Sequence, residues 1–199
     1  MAVLGYEKIK VISIIITLYI LPIILILVGL IPFSFRFMLL VIMAIVIILS
    51  TVINKIKLEE LGFTHKNLLF ASKDVLPATI GLAILILLHY LLKGTRIDNS
   101  LHWYFYLFLI FVSVPTQEFI YRSYLFHLLS RVGFSQYFLV ISAILYSFVH
   151  AIYWDLLTLL FTLSIGFIWG YHYQRFKNIY SVIFSHSLLG VVAIATGLL

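Results

Sequence analysis

The sequence predicts an all-α protein: a polytopic transmembrane helix bundle of about seven spans, with its N-terminus in the cytoplasm. Three observations lead there. First, 64% of the 199 residues are hydrophobic and only 10% are charged. An ordinary soluble domain is about 45–50% apolar and about 25% charged. A soluble globule of this size could not hide so much apolar surface while exposing so few charges. A soluble enzyme, a nucleic-acid-binding domain and a disordered tail are thereby excluded. Second, the chain divides into apolar runs of the length a bilayer core demands, about 20 residues each. Third, the basic residues between those runs are distributed unevenly.

The first run, Val11–Leu30, follows Lys8 and Lys10, and Pro22 is expected to bend it. It is too long for a signal peptide and lacks a small-x-small cleavage site. The second run is Phe37–Val52. Asn54–Asp74 is the longest polar stretch and reads as an amphipathic or interfacial segment. There Leu58, Leu61, Leu68, Leu69 and Phe70 would touch the headgroup region. Leu76–Leu92 is the third span, and Leu101–Leu128 is the fourth. Pro115 is expected to interrupt the fourth, because proline lacks a backbone donor and clashes with the preceding turn. Phe134–Tyr153, Leu156–Tyr173 and Ile179–Leu199 complete the set. No internal repeat, low-complexity tract or soluble domain is visible. The expectation is one membrane-embedded domain, with N-terminal spans and the interfacial segment in residues 1–100 and a core in residues 101–199.

Loop charges orient the bundle. Lys8, Lys10, Lys55, Lys57, Lys66, Lys73, Arg131, Arg175 and Lys177 lie in the segments on the N-terminal side, nine in all. Arg36, Lys93 and Arg96 are the three on the other side. The positive-inside rule then puts the N-terminus in the cytoplasm and the C-terminus outside. The formal net charge of +6 is explained in the same way, with the lipid bilayer as partner and no nucleic acid. There is no cysteine, which excludes disulfides, thiolate zinc sites and cysteine nucleophiles.

Seven acids can be inspected one by one. Glu7, Glu59, Glu60, Asp74, Asp98 and Asp155 lie at the edges of spans or between them. Glu118 alone falls well inside an apolar run. A buried carboxylate costs several kcal/mol unless paired or neutralised, so it is a functional candidate. Arg122, four residues on, shares its helix face. The pair alone could simply fix the helix against its neighbours. Its position just after Pro115, where a kink would free backbone carbonyls, also fits a wet cavity. His150 in the fifth span and His186 in the seventh complete a convergent set on three helices. His65, His89, His102, His127 and His172 have bland structural explanations. At 1.5 Å per residue, straight helices would leave Glu118, His150 and His186 spread by about 10 Å in depth.

The motifs resemble those of the CPBP family, the type II CAAX prenyl endopeptidases and the bacterial bacteriocin-processing and Abi-type intramembrane proteases. Gln117-Glu118-Phe119-Ile120-Tyr121-Arg122 is similar to the first motif, Glu-Glu-x-x-x-Arg. Tyr146-Ser147-Phe148-Val149-His150 resembles the second, Phe-x-x-x-His. His186-Ser187-Leu188-Leu189-Gly190 resembles the third, His-x-x-x-Asn. The resemblance covers Leu101–Leu199. It implies an intramembrane endopeptidase acting on a membrane-protein or lipidated-peptide substrate, in a bacterial plasma membrane. In the family the first Glu activates water with the second-motif His, and the third-motif Asn helps to bind the oxyanion. Here those positions are Gln117 and Gly190. The resemblance therefore implies Glu118 with His150 as the water-activating pair and His186 assisting. Gln117, Arg122, Tyr146 and Gly190 would support them. Zinc held by Glu118, His150 and His186 and a metal-free glutamic mechanism both remain open. Gln117 and Gly190 also motivate a catalytically silent member that binds other membrane proteins. A proton-relay transporter is a third reading, without the inverted repeats many transporters show. Signatures of the other intramembrane proteases, such as His-Glu-x-x-His, are absent.

Overall fold

A computed structural model describes residues 2–97 and 101–198 of the chain; Asp98 lies outside the described residues. Seven apolar helices follow one another: α1 (Gly5–Leu27), α2 (Phe33–Ile53), α3 (Leu68–Lys93), α4 (Trp103–Arg131), α5 (Ser135–Tyr153), α6 (Leu156–Phe176) and α7 (Ile179–Ala195). The first six are long and apolar enough to cross a membrane, and α7 is a shorter apolar helix. The fold is thus the polytopic helical bundle the sequence predicts.

Its surface is inverted relative to a soluble protein. Ile53, Leu92 and Phe111 are more than 70% exposed, while Glu118 and Arg122 are fully buried. Lipid can cover the former at no cost, and only the protein interior can satisfy the latter.

Pro22, expected to bend α1, and Pro115, expected to interrupt α4, both lie inside continuous helices. Each is preceded by a π-helical turn, Ile15–Ile20 before Pro22 and Leu109–Ser113 before Pro115. The wider turn moves aside the carbonyl that the ring would strike, and it absorbs the missing donor. A further π turn, Phe119–Tyr124, follows directly after Glu118. Both π turns of α4 shift the phase of its faces, and they do so on either side of the Gln117–Glu118 pair.

The interfacial expectation for residues 54–74 needs correction. Leu58, Leu69 and Phe70 are exposed, but Leu61 is completely buried. The Leu61 carbonyl accepts bonds from Ser123 Oγ and from Tyr173 Oη at 3.1 Å. The loop is therefore a plug in the end of the bundle. Gly62, at φ +79°, passes so close beneath the α6–α7 turn that a Cβ there would lie 2.9 Å from the Lys177 carbonyl. Glycine is required for both reasons. Helix α3 also begins at Leu68, earlier than the predicted Leu76. Its extra turns are held by Asp74, which accepts from Arg175 Nη1 at 2.9 Å and from His172 Nδ1 at 3.1 Å.

Cross-links define two ends. At one end Glu7 pairs with Arg131, Asn67 donates to the Phe176 carbonyl, and Asn178 donates to Thr64. This is the end that carries the nine basic residues. At the other end Arg96 pairs with Asp155, Ile97 donates to the Gly197 carbonyl, and the Phe33 and Tyr153 rings meet edge to face. Between the ends α5 packs along α6 and α3 along α7. The α5–α6 contact is close because Gly166 and Gly170 face Ala143 and Leu139. This small-x-x-x-small spacing lets two backbones approach within a membrane.

Candidate active site

The residues singled out by the motifs come together, but not in the arrangement the resemblance implies. Glu118 is entirely buried on α4 and does not line the cavity beside it. Its Oε1 accepts from His186 Nδ1 at 2.7 Å. Its Oε2 lies 3.4 Å from Arg122 Nε, an ion-pair distance outside hydrogen-bond geometry. The hydrogen-bonded partner of Glu118 is thus His186, and His150 makes no bond to it. The π turns bracketing this part of α4 aim the carboxylate at α7. The predicted spread in depth is overcome between Glu118 and His186.

Arg122 is the largest fully buried side chain. Its Nη1 donates to Ser142 Oγ at 2.8 Å, and Ser142 in turn donates to the Tyr121 carbonyl at 2.8 Å. The guanidinium lies 4.7 Å from the centre of the Tyr146 ring, a cation–π contact. Positive charge thus sits beside Glu118 without leaving the protein interior.

His186 is held on every side. A carboxylate only accepts, so its Nδ1 carries the proton, and in the neutral ring Nε2 accepts from the Tyr146 hydroxyl at 3.2 Å. Trp169 stacks on the imidazole with centroids 4.2 Å apart. Trp169 Nε1 donates to Ser185 Oγ at 2.9 Å, and Ser185 meets Thr79 Oγ1 at 2.6 Å. Helices α3, α4, α5, α6 and α7 thereby all bear on one ring.

His150 stands apart from that network. Its Nδ1–H donates to the Tyr146 carbonyl at 2.8 Å. That tautomer leaves Nε2 as a bare lone pair. His150 lies where α5 tightens into a 3₁₀ turn, His150–Tyr153, and its ring is half-buried against Tyr146. Gln117, also half-buried, donates from Nε2 to Ser113 Oγ at 2.9 Å.

Gln117, Tyr146, His150, His186 and Gly190 share the wall of one cavity of about 480 Å³. At Gly190 a Cβ would meet only Leu109 at 3.5 Å and His186 at 3.9 Å, ordinary contacts. Space for a larger side chain is present there, so glycine enlarges the cavity next to His186.

A resident zinc does not fit this arrangement. Among the described residues no three of His, Asp and Glu are grouped to hold a metal ion. The Glu118 carboxylate and His186 Nδ1 face each other, so Glu118, His150 and His186 do not form the ligand set of the zinc reading.

Sequence reasoning missed Trp169, Ser142, Ser185 and Thr79. Only Trp169 carried a signal: it lies inside Gly166-x-x-x-Gly170, a spacing that marks a close helix contact. The polar residues are single hydroxyls in apolar runs and look like ordinary helix positions.

The fold and this site define a helical integral membrane protein with a buried carboxylate, arginine and two histidines around an intramembrane cavity. Residues 99–192 match the family model described as Rce1-like, type II CAAX prenyl endopeptidase. That segment carries all three motifs and is similar to this family of intramembrane proteases. No curated protein and no solved structure matches the chain.

Proposed function

We propose that this protein is an intramembrane endopeptidase that uses His150, rather than a carboxylate, as its water-activating base. The observation that carries the reading is the shared cavity wall: Gln117, Tyr146, His150 and His186 converge from three helices, and His150 keeps an unengaged Nε2. Peptide hydrolysis needs an activated water, a stabilised oxyanion and a proton for the leaving amine. His150 Nε2 takes a proton from the water as its oxygen attacks the carbonyl, and hands that proton to the departing amine. Gln117 positions the water but cannot take its proton. The Tyr146 hydroxyl turns its O–H from His186 Nε2 to the oxyanion, and the Glu118 carboxylate holds His186 in place behind it. Glu118 is then a positioning residue, and Arg122 fixes Glu118. The substrate class is a membrane-protein segment or a lipidated peptide, and the membrane is a bacterial plasma membrane.

The test is cleavage of a farnesylated peptide and of a transmembrane peptide by the protein in liposomes, with and without a chelator. Cleavage that survives the chelator and disappears in His150→Ala supports the reading. Cleavage unchanged in that variant overturns it.

A second reading is favoured by two cavity positions, where Gln117 supplies no carboxylate base and Gly190 no side-chain donor. It is a catalytically silent member that holds other membrane proteins. Gln117→Glu separates the two: a silent scaffold gains cleavage from zero, and a slow enzyme speeds up.

A further inference from the structure

We propose that a pocket between the ends of α2 and α4 binds the phosphoethanolamine headgroup of a membrane lipid. The pocket shares no residue with the cavity that holds His150, so the proposal stands whether or not the protein cleaves peptides.

The pocket has a volume of about 390 Å³ and is lined by Asn54, Lys55, Ile56, Glu60, His127 and Arg131. Asn54 follows the last residue of α2, and Arg131 is the last residue of α4. Helices that fill the hydrocarbon core end at the level of the lipid headgroups. A polar pocket at those two ends therefore faces the phosphate layer of the bilayer.

Its charges are held apart. Lys55 and Glu60 line the same space, yet among the described residues neither takes part in an ion pair. The neighbouring charges do pair: Lys66 with Glu59 at 3.4 Å, and Arg131 with Glu7 through Nη2 at 3.5 Å. A cation and an anion that share a pocket without meeting complement a ligand that carries both signs. Lys55 and Arg131 suit its phosphate, and Glu60 suits its ammonium.

A second feature is independent of these charges. His127 Nε2 is buried and has no hydrogen-bond partner. A buried polar atom left unpaired is costly, and a phosphate oxygen accepts from that nitrogen when it carries the ring proton.

The surroundings suit a lipid rather than a free headgroup. Val52, Ile53 and Leu58 flank Asn54 and Lys55 in the chain and are each more than 60% exposed. They give acyl chains an apolar surface beside the polar pocket. Ethanolamine is the headgroup that fits Glu60. Its ammonium donates N–H bonds to a carboxylate, whereas choline has none to donate and glycerol carries no charge.

The test is competition read by native mass spectrometry. Detergent-solubilised protein is given equal amounts of phosphatidylethanolamine, phosphatidylcholine and phosphatidylglycerol with matched chains. Wild type is expected to retain phosphatidylethanolamine about fivefold over either of the others, the upper value for one exposed ion pair. Glu60→Gln levels the three lipids, and Glu60→Lys inverts the order in favour of phosphatidylglycerol. Lys55→Gln lowers retention of phosphatidylethanolamine and phosphatidylglycerol together. Both residues are exposed, so these variants are expected to melt with the wild type, and each reads the pocket if the other fails to fold. Soluble phosphoethanolamine at the same concentration is expected to leave no adduct. Equal retention of the three lipids by wild type, or a phosphatidylethanolamine preference that survives both Glu60→Lys and Lys55→Gln, overturns the proposal. Soluble phosphoethanolamine retained as well as the lipid overturns it too.

Discussion

Glu118 faces an imidazole N–H and a guanidinium inside the protein. Its neighbours His186 at 2.7 Å and Arg122 at 3.4 Å are themselves almost fully buried. Removing one partner of such a cluster leaves the others as uncompensated charge or unpaired polar groups, which costs about 3–5 kcal/mol. Glu118→Ala is therefore expected to lower thermal stability in detergent sharply, as well as any cleavage. Glu118→Gln keeps the shape and a hydrogen-bond acceptor and should recover part of the stability. Wild-type stability in Glu118→Gln would mean that charge is not what the site needs. His150 predicts the opposite pattern. Its one hydrogen bond, to the Tyr146 carbonyl, is worth about 0.5–1.5 kcal/mol. His150→Ala should therefore unfold near the wild-type temperature while abolishing cleavage.

At this scale the sequence was legible in identity but not in pairing. An acid inside an apolar run, an arginine four residues on and two histidines on other helices were enough to nominate the site. That Glu118 would engage His186 and not His150 depended on the helical phase of α4. Two π turns set that phase, and nothing in residues 109–124 except Pro115 announces them.

Among the elements, α5 and α6 form the tightest pair, because Gly166 would place a Cβ only 3.1 Å from the Ala143 backbone. A larger residue there forces the helices apart and overpacks the contact, at about 1–3 kcal/mol. Gly166→Leu should lower stability and also move Trp169 off the His186 ring. Tryptophan fluorescence of the folded variant is the check, with an unchanged spectrum as the contrary result. The helices themselves were readable from apolar run length, since lipid imposes that length. The errors fell on α3 and the loop before it. A charged stretch before Leu76 looks like an interfacial segment. The fold instead uses Asp74 as a tie to α6 and Leu61 as a plug. Both roles depend on partners about 100 residues away.

Taken whole, the molecule keeps charge pairs at its two ends and one buried cluster between them. The end opposite the nine basic residues depends on Asp155, which caps α6 by accepting from the Thr158 amide at 2.7 Å and also pairs with Arg96. The Thr158 hydrogen bonds, and then Arg96, hold its carboxyl below the ordinary carboxylate range. A lowered folded-state pKa contributes stability that is complete above the unfolded value of about 3.9 and is lost as pH falls through the folded one. Asp155→Asn should therefore melt below the wild type at neutral pH, and the gap should close as the pH drops below about 4. A gap that stays constant with pH would remove the charge from the explanation.

The central claim is that this cavity hydrolyses a peptide bond with His150 as its base. The most direct measurement is cleavage of a membrane-anchored peptide in liposomes prepared in ¹⁸O-labelled water, read by mass spectrometry. Wild type is predicted to place one ¹⁸O in the new carboxylate, His150→Ala to yield no product, and Gln117→Glu to yield more product than wild type. Labelled product at the same rate from His150→Ala, or none from wild type and Gln117→Glu alike, would contradict the account.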